Sequence, residues 1–261
     1  MFTSKGFSKQ RLVVYDLLNR AKRHHCSVTG AFEWDVTDTL ARISARQETG
    51  DPISLTSFMV KATATILERH PRLNDRVFYG LRGPRRVRFD EISCNLVLLR
   101  EKSDGSQLIM PVVLRHVDRL SIEEISQEIH DLQTQPLEAL APMKMRSKLK
   151  RVPRMALRLF DYKVRTDPGF YEKRFGTYAL SALLHHGSGA IGGTPVTTQT
   201  CFYPTNIQER PVVRDGEIVI RQMMLFGLAV DHFIVDGLES LNAARELKTL
   251  IENPNELLGS E

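Results

Sequence analysis

Apolar positions along this chain switch repeatedly between helical spacing and strand-like runs. From Ser54 to His70 they recur on one helical stripe, Leu55, Phe58, Met59, Ala62 and Ile66, with Ser54 placed to cap the start and Pro71 following the end. A serine cap and an acidic first turn predict another helix from Ser121 to about Gln133, and a terminal helix is predicted from Leu238 to Ile251. Ser8 to Arg23 reads as an amphipathic helix, and Asp35-Val36-Thr37-Asp38 offers a cap for a helix over Thr39 to Arg46. Strands are predicted at Ser27 to Val36, at Val87 to Arg100 and Leu108 to Leu114 around the turn Ser103 to Ser106, and near Thr177 to Leu184. Pro211 to Arg214 and Glu217 to Arg221 form a strand pair turned by Asp215-Gly216, and a last strand, Met223 to Val230, follows. Strands and helices alternate irregularly, with hairpins between them. The expectation is therefore an α/β two-layer sandwich, a mixed β-sheet with helices packed on one face, rather than a doubly wound parallel sheet.

Between Gln135 and Arg174 this order loosens. Prolines stand at 136, 142, 153 and 168, and Lys144, Arg146, Lys148, Lys150, Arg151, Arg154 and Arg158 accumulate. The stretch at about 135–174 reads as a basic insertion in a single domain spanning 1–261. Three readings stay open for it: a solvated face or subunit contact, a contribution to binding a phosphate-bearing cofactor, or contact of 144–160 with an anionic membrane or acidic partner. Nucleic acid is not expected, because no reading motif or set of stacking aromatics accompanies the charge.

Composition narrows the class further. The chain has 261 residues, 42% of them hydrophobic, and a formal charge of +5. That length accommodates one large domain or two small ones, and the charge is modest for the size. No apolar run reaches the ~20 residues that span a bilayer, and the N-terminus lacks a secretion signal, so a cytoplasmic location is expected. Cys26, Cys94 and Cys201 are dispersed and odd in number, which suggests reduced thiols rather than a disulfide framework or zinc site. His185-His186 has no nearby carboxylate partner and reads as loop, so no metal is expected. No glycine-rich phosphate loop follows a strand, which argues against a dinucleotide or nucleoside triphosphate site.

The candidate chemistry lies in Asp231-His232-Phe233-Ile234-Val235-Asp236-Gly237. His232 stands where an apolar strand ends, a rigid place for an imidazole, and a short turn closed by Gly237 could bring the Asp236 carboxylate beneath the loop. Imidazoles titrate near ~6.5 and thiols near ~8.5, so a positioned neutral histidine can take a thiol proton at neutral pH.

This segment, with Pro211 to Met224 before it and Leu247 to Leu258 after it, resembles the end of the catalytic domain of the dihydrolipoamide acyltransferases of 2-oxo acid dehydrogenase complexes, relatives of chloramphenicol acetyltransferase. Phe32-Glu33-Trp34-Asp35-Val36-Thr37, Ser54 to Asn74 and Asp104 to Leu120 look like further landmarks of that domain in the same order. The resemblance implies a chloramphenicol acetyltransferase-like fold and a coenzyme A-dependent acyltransferase. His232 would be general base on the thiol of coenzyme A or dihydrolipoamide, attacking an acyl thioester. Thr177-Tyr178-Ala179-Leu180-Ser181-Ala182 looks like the counterpart of the family's oxyanion segment, making Ser181 the oxyanion donor, and Asp236 matches the acidic or amide position that organises the loop and assists catalysis.

The resemblance further implies homotrimers or multiples of trimers, with histidine and serine from different chains. No lipoyl or subunit-binding domain fits before Ser8, so the acyl donor is expected on a lipoyl-bearing protein in trans or as a free acyl thioester. Two departures stand out: Phe233 replaces the usual arginine after the histidine, and Ala182 replaces an asparagine. They keep open a second reading, a catalytically weak member serving as oligomeric scaffold or regulatory subunit. A peptide-synthesis condensation domain shares the H-x-x-x-D-G string, but usually has a second histidine where Asp231 stands.

Overall fold

The computed structural model describes residues 24–101, 105–140, 154–182 and 198–259, with isolated positions at 6, 15, 18, 19, 22 and 143. The expected N-terminal helix, the basic run 144–153, the turn at 103–104 and the glycine-rich loop 187–193 with His185-His186 therefore lie outside the described residues, wholly or in large part.

One six-stranded mixed sheet organises the chain, in the order β1 (Ser27–Asp35), β8 (Glu217–Asp231), β7 (Thr200–Arg214), β6 (Tyr178–Leu180), β4 (Cys94–Glu101), β5 (Gln107–Leu114). Only β6 runs parallel to its neighbours, β4 and β7; the other pairings are antiparallel. Helices α1 (Thr37–Glu48), α2 (Leu55–Arg69), α3 (Ile122–Thr134) and α6 (Gly237–Glu252) contribute with the sheet to one core, and the short α7 (Asn255–Leu258) ends it. Strand alternation explains the core: Tyr178, Leu180, Phe202, Phe226 and Leu228 enter this layer. Their neighbours Ala179, Cys201, Tyr203 and Ala229 form a small separate cluster. The expected mixed sheet with a helical layer is thus present.

Where local chemistry was unambiguous, the expected boundaries hold. Ser54 and Ser121 each cap their helix, accepting from the backbone N–H of Ser57 and Glu124 in reciprocal capping boxes. Asp215 and Gly216 both have positive φ, 52° and 86°, as a two-residue hairpin turn that follows the strand twist requires.

Elsewhere the tertiary fold overrides the pattern. Val87–Arg100 is not one strand: Val87 ends β3 (Gly83–Arg88), which pairs in a separate hairpin with β2 (Asp75–Gly80), a strand the pattern missed. Pro211–Arg214 and Met223–Val230 are parts of two 15-residue strands, β7 and β8, whose charged and glutamine-bearing middles leave the sheet edge as an arm. The stretch read as a basic insertion contains two helices, α4 (Arg154–Thr166) and α5 (Pro168–Phe175), held to the β2–β3 hairpin by an aromatic cluster of Phe78, Phe89 and Tyr171.

The helix after β1 starts on Val36, whose side chain makes no capping bond; Asp35 instead accepts from the N–H and hydroxyl of Thr37 at 3.0 and 2.6 Å. Asp35 also receives Arg221 at 2.6 Å and Arg214 at 3.1 Å, which ties the arm to the sheet. Burial works to raise its pKa, but these bonds outweigh it and hold the carboxyl at about 2. Because the folded value is depressed, the contribution is full above the ordinary carboxylate value and is lost as pH falls from ~4 towards 2. The urea midpoint of the wild type is expected to drop across that window more steeply than that of Asp35→Asn.

Candidate active site

The site residues are placed by the central strands. β8 delivers Asp231 at its end, and a turn then carries His232 and Phe233 to the surface before α6 begins. His232 is exposed and its backbone N–H donates to the Cys26 carbonyl at 2.7 Å. Its Nδ1 lies 2.9 Å from the Val235 carbonyl oxygen. A carbonyl accepts and never donates, so Nδ1 is the donor here, and in the neutral ring that leaves the lone pair on Nε2. The turn thus holds the imidazole in the tautomer that a base needs.

The loop is organised by a residue that sequence reasoning passed over. Asp231, 1% exposed, accepts four hydrogen bonds: from His25 Nδ1 at 2.8 Å, Gln199 Nε2 at 3.0 Å, and the backbone N–H groups of Cys26 and Phe233 at 3.1 Å each. Burial acts to raise its pKa, and these donors overcome it, leaving the carboxyl below its ordinary value. Gln199 in turn accepts from the N–H of Val77 at 2.7 Å, linking the loop to the β2–β3 hairpin.

Asp236, by contrast, is exposed at the N-cap of α6 and its side chain makes no capping bond. The hydrogen bonds that tie down the loop run instead to Asp231. The available signal was the acid adjoining the histidine at the end of an apolar strand, since a charge there is tolerated only when fully hydrogen-bonded.

Ser181 directly follows β6, and its N–H donates to the Phe202 carbonyl at 2.9 Å. That strand is anchored by the buried Tyr178, whose hydroxyl is 3.1 Å from the Thr63 hydroxyl and donates to the Val60 carbonyl at 3.2 Å. Burial pushes the Tyr178 phenol well above its ordinary range, so it serves as a fixed anchor. Gly176 leads into β6 with φ 64° and ψ −170°, and a Cβ there would sit 2.6 Å from the Ser93 carbonyl oxygen. Gly176→Ala is accordingly expected to cost at least ~2 kcal/mol, read as a lowered denaturation midpoint.

The sheet register separates the two candidates. Leu180 pairs with Phe202, whereas Val230 pairs with Thr200 at the opposite end of that stretch of β7. Ser181 is thereby displaced from Asp231 by about four strand positions, or roughly 13 Å along the sheet, with β7 between them. Their side chains do not meet within one chain. Clefts of about 390 and 20 Å³ occur among the described residues, and neither is lined by His232, Ser181 or Asp236.

A model of the 2-oxoacid dehydrogenases acyltransferase (catalytic domain) family matches residues 2–145 and 174–259. The chain belongs to this family. Among curated proteins, it is 27% identical over 237 residues to the dihydrolipoyllysine-residue acetyltransferase component of the pyruvate dehydrogenase complex of Staphylococcus aureus. That match covers 86% of this chain and 44% of the relative, so the chain spans less than half the length of the curated proteins it resembles.

Its fold matches that of Azotobacter vinelandii dihydrolipoamide acetyltransferase, in a structure solved to investigate a serine, a histidine and an asparagine in catalysis. The TM-score is 0.71 at 18% identity, covering 99% of this chain and 94% of that one. Chloramphenicol acetyltransferase shares the fold at TM-score 0.51 and 14% identity, covering 90% and 94% of the two chains. The expected family and fold are therefore both established. Residues 146–173, which hold α4 and most of α5, fall in the interval that the family match leaves out.

No group of three or more His, Cys, Asp or Glu among the described residues could hold a metal ion. No helix among them is long and apolar enough to cross a membrane. Cys94 and Cys201 are buried free thiols, each raised to about 12 chiefly by burial, whereas Cys26 is free and exposed.

Proposed function

We infer that this chain is the catalytic unit of an acyltransferase that exchanges an acyl group between coenzyme A and a dihydrolipoyl thiol. The observation that carries this reading is the exposed His232 of an acyltransferase-family chain, its Nδ1 bound to the Val235 carbonyl so that Nε2 is left for a substrate proton. Nε2 takes the proton of the attacking thiol as its sulfur bonds to the thioester carbonyl carbon. The Ser181 hydroxyl donates to the resulting oxyanion. Collapse breaks the original carbon–sulfur bond, and the departing thiolate takes the proton back from His232. Coenzyme A is a substrate in this scheme, and no metal takes part.

Spacing supports the assignments. In the Azotobacter protein the histidine and asparagine stand four positions apart and the serine 52 before the histidine; here Asp236 follows His232 by four and Ser181 precedes it by 51. Asp236, exposed towards solvent at the start of α6, is then a residue for substrate or a neighbouring subunit rather than for its own loop.

The working unit in this reading is a homotrimer or a multiple of trimers, with each site built from His232 of one chain and Ser181 of the next. The roughly 13 Å axial displacement supports it. So does the arm, where Val213, Ile218 and Ile220 share one face through the Val213–Ile218 pairing and are 70%, 77% and 73% exposed. The acyl donor is a lipoyl-bearing protein acting in trans or a free acyl thioester.

Co-expression of His232→Ala with Ser181→Ala chains tests the shared site. Random mixing leaves roughly a quarter of the sites with both residues, so transfer between acetyl-coenzyme A and dihydrolipoamide is expected to return well above either variant alone. No recovery in verified mixed oligomers would mean that the pair does not act across chains. Phe233, 62% exposed where the family carries an arginine, favours the scaffold reading if the wild type binds no coenzyme A and turns over no thioester.

A further inference from the structure

Helix α4 presents two apolar faces. One packs inward, where Phe160 contacts Phe170 and Phe175, and Val164 joins the aromatic cluster under the β2–β3 hairpin. On the other, Met155, Leu159 and Tyr162 recur at helical spacing and are 80%, 58% and 55% exposed. A stripe of this kind is costly to leave in water and marks a contact surface. Arg158 flanks it and is exposed, Lys163 is exposed with its ammonium 5.6 Å from the Phe170 ring, and the helix's one acid, Asp161, is paired with Arg165 at 2.9 Å.

The neighbouring β2–β3 turn repeats the chemistry. Leu81 at its tip is fully exposed beside the exposed Arg82 and Arg85, Arg85 donates to the Thr166 carbonyl at the end of α4 at 3.4 Å, and Arg86 is paired with Asp75 at 3.4 Å. Two adjoining elements therefore each offer protruding apolar groups set among cations, without an intervening acid on the turn.

We propose that α4 and the β2–β3 turn form a docking surface for an anionic lipid bilayer. Charge and shape together select this occupant. A second copy meeting the surface face to face would bring the same cations against it, and a head-to-tail copy is told apart by oligomeric state. A convex helix and a hairpin tip offer prongs rather than a groove, which suits a deformable interface where apolar side chains enter between acyl chains and arginines remain among headgroup phosphates. The reading is independent of the acyl-transfer chemistry, since neither His232 nor Ser181 belongs to the surface.

Flotation of the 261-residue chain with vesicles of phosphatidylcholine alone, or with about a third phosphatidylserine, tests it. Binding is expected to the anionic vesicles and to fall at least roughly tenfold on neutral ones and when salt rises from ~0.1 to ~0.5 M. Leu159→Glu/Tyr162→Glu and Leu81→Ser/Arg82→Ser, both altering exposed positions, are each expected to weaken it severalfold with circular dichroism unchanged. Absence of binding to anionic vesicles, or variants that bind like the wild type, would overturn the proposal. So would a change of oligomeric state in Leu159→Glu/Tyr162→Glu without a loss of vesicle binding, which would assign the stripe to a second copy.

Discussion

Acyl transfer is expected to fall roughly 10²–10⁴-fold when His232 becomes alanine, the range that a positioned general base contributes. The imidazole is exposed and its one side-chain bond goes to the Val235 carbonyl of its own turn, so its removal leaves a single acceptor unmatched and no buried charge. Circular dichroism, oligomeric state and thermal midpoint should therefore match the wild type. The rate is measured as thiol release during exchange between acetyl-coenzyme A and dihydrolipoamide. The loss should lie in kcat, because the imidazole acts as the thiol ionises rather than when the cofactor binds. Ser181→Ala should cost about 10²–10³-fold in kcat, the worth of one oxyanion donor. A His232→Ala protein with wild-type kcat would remove His232 as base, whatever the family membership.

Asp231→Ala should act on the fold first and on the rate as a consequence. It strands the donors of His25, Gln199, Cys26 and Phe233 around a site that is 1% exposed. Leaving such partners unmatched is expected to cost ~3–5 kcal/mol and to release the turn that sets the His232 tautomer. Asp231→Asn keeps the shape but sets an amide N–H₂ against donors, so a smaller loss is expected. The carboxyl's pKa lies below its ordinary value, so its contribution is complete above the unfolded carboxylate's titration and is lost as pH falls below it. Chemical denaturation of both variants from pH 7 down to pH 3 measures this: the gap between wild type and Asp231→Asn should narrow as acid is added.

Much of the fold was legible because its local chemistry pointed one way. Ser54 and Ser121 are serines before apolar stripes, and Asp215-Gly216 lies between β-branched residues; caps and hairpin turns depend on neighbours within a few positions. Reading failed where partners are remote. The strand β2 carries Asp75 and Arg76, unpromising in isolation, yet Asp75 is matched by Arg88 at 2.8 Å across the hairpin and Arg76 lies 4.0 Å from the Tyr171 ring. In the same way, polar residues hid the continuity of β7 and β8, because the arm they build runs on past the end of β1 and has no covering layer within this chain.

The candidate site divides along the same line. The sequence by itself determined the family, the position of His232 at a strand end and Ser181 after another, since these rest on residue order. Tertiary structure decided which carboxylate holds the loop, because Asp231 and Asp236 differ in burial and in donors drawn from residues 25, 26 and 199. It also decided that histidine and serine stand apart within one chain, because strand register, and not sequence spacing, sets their distance.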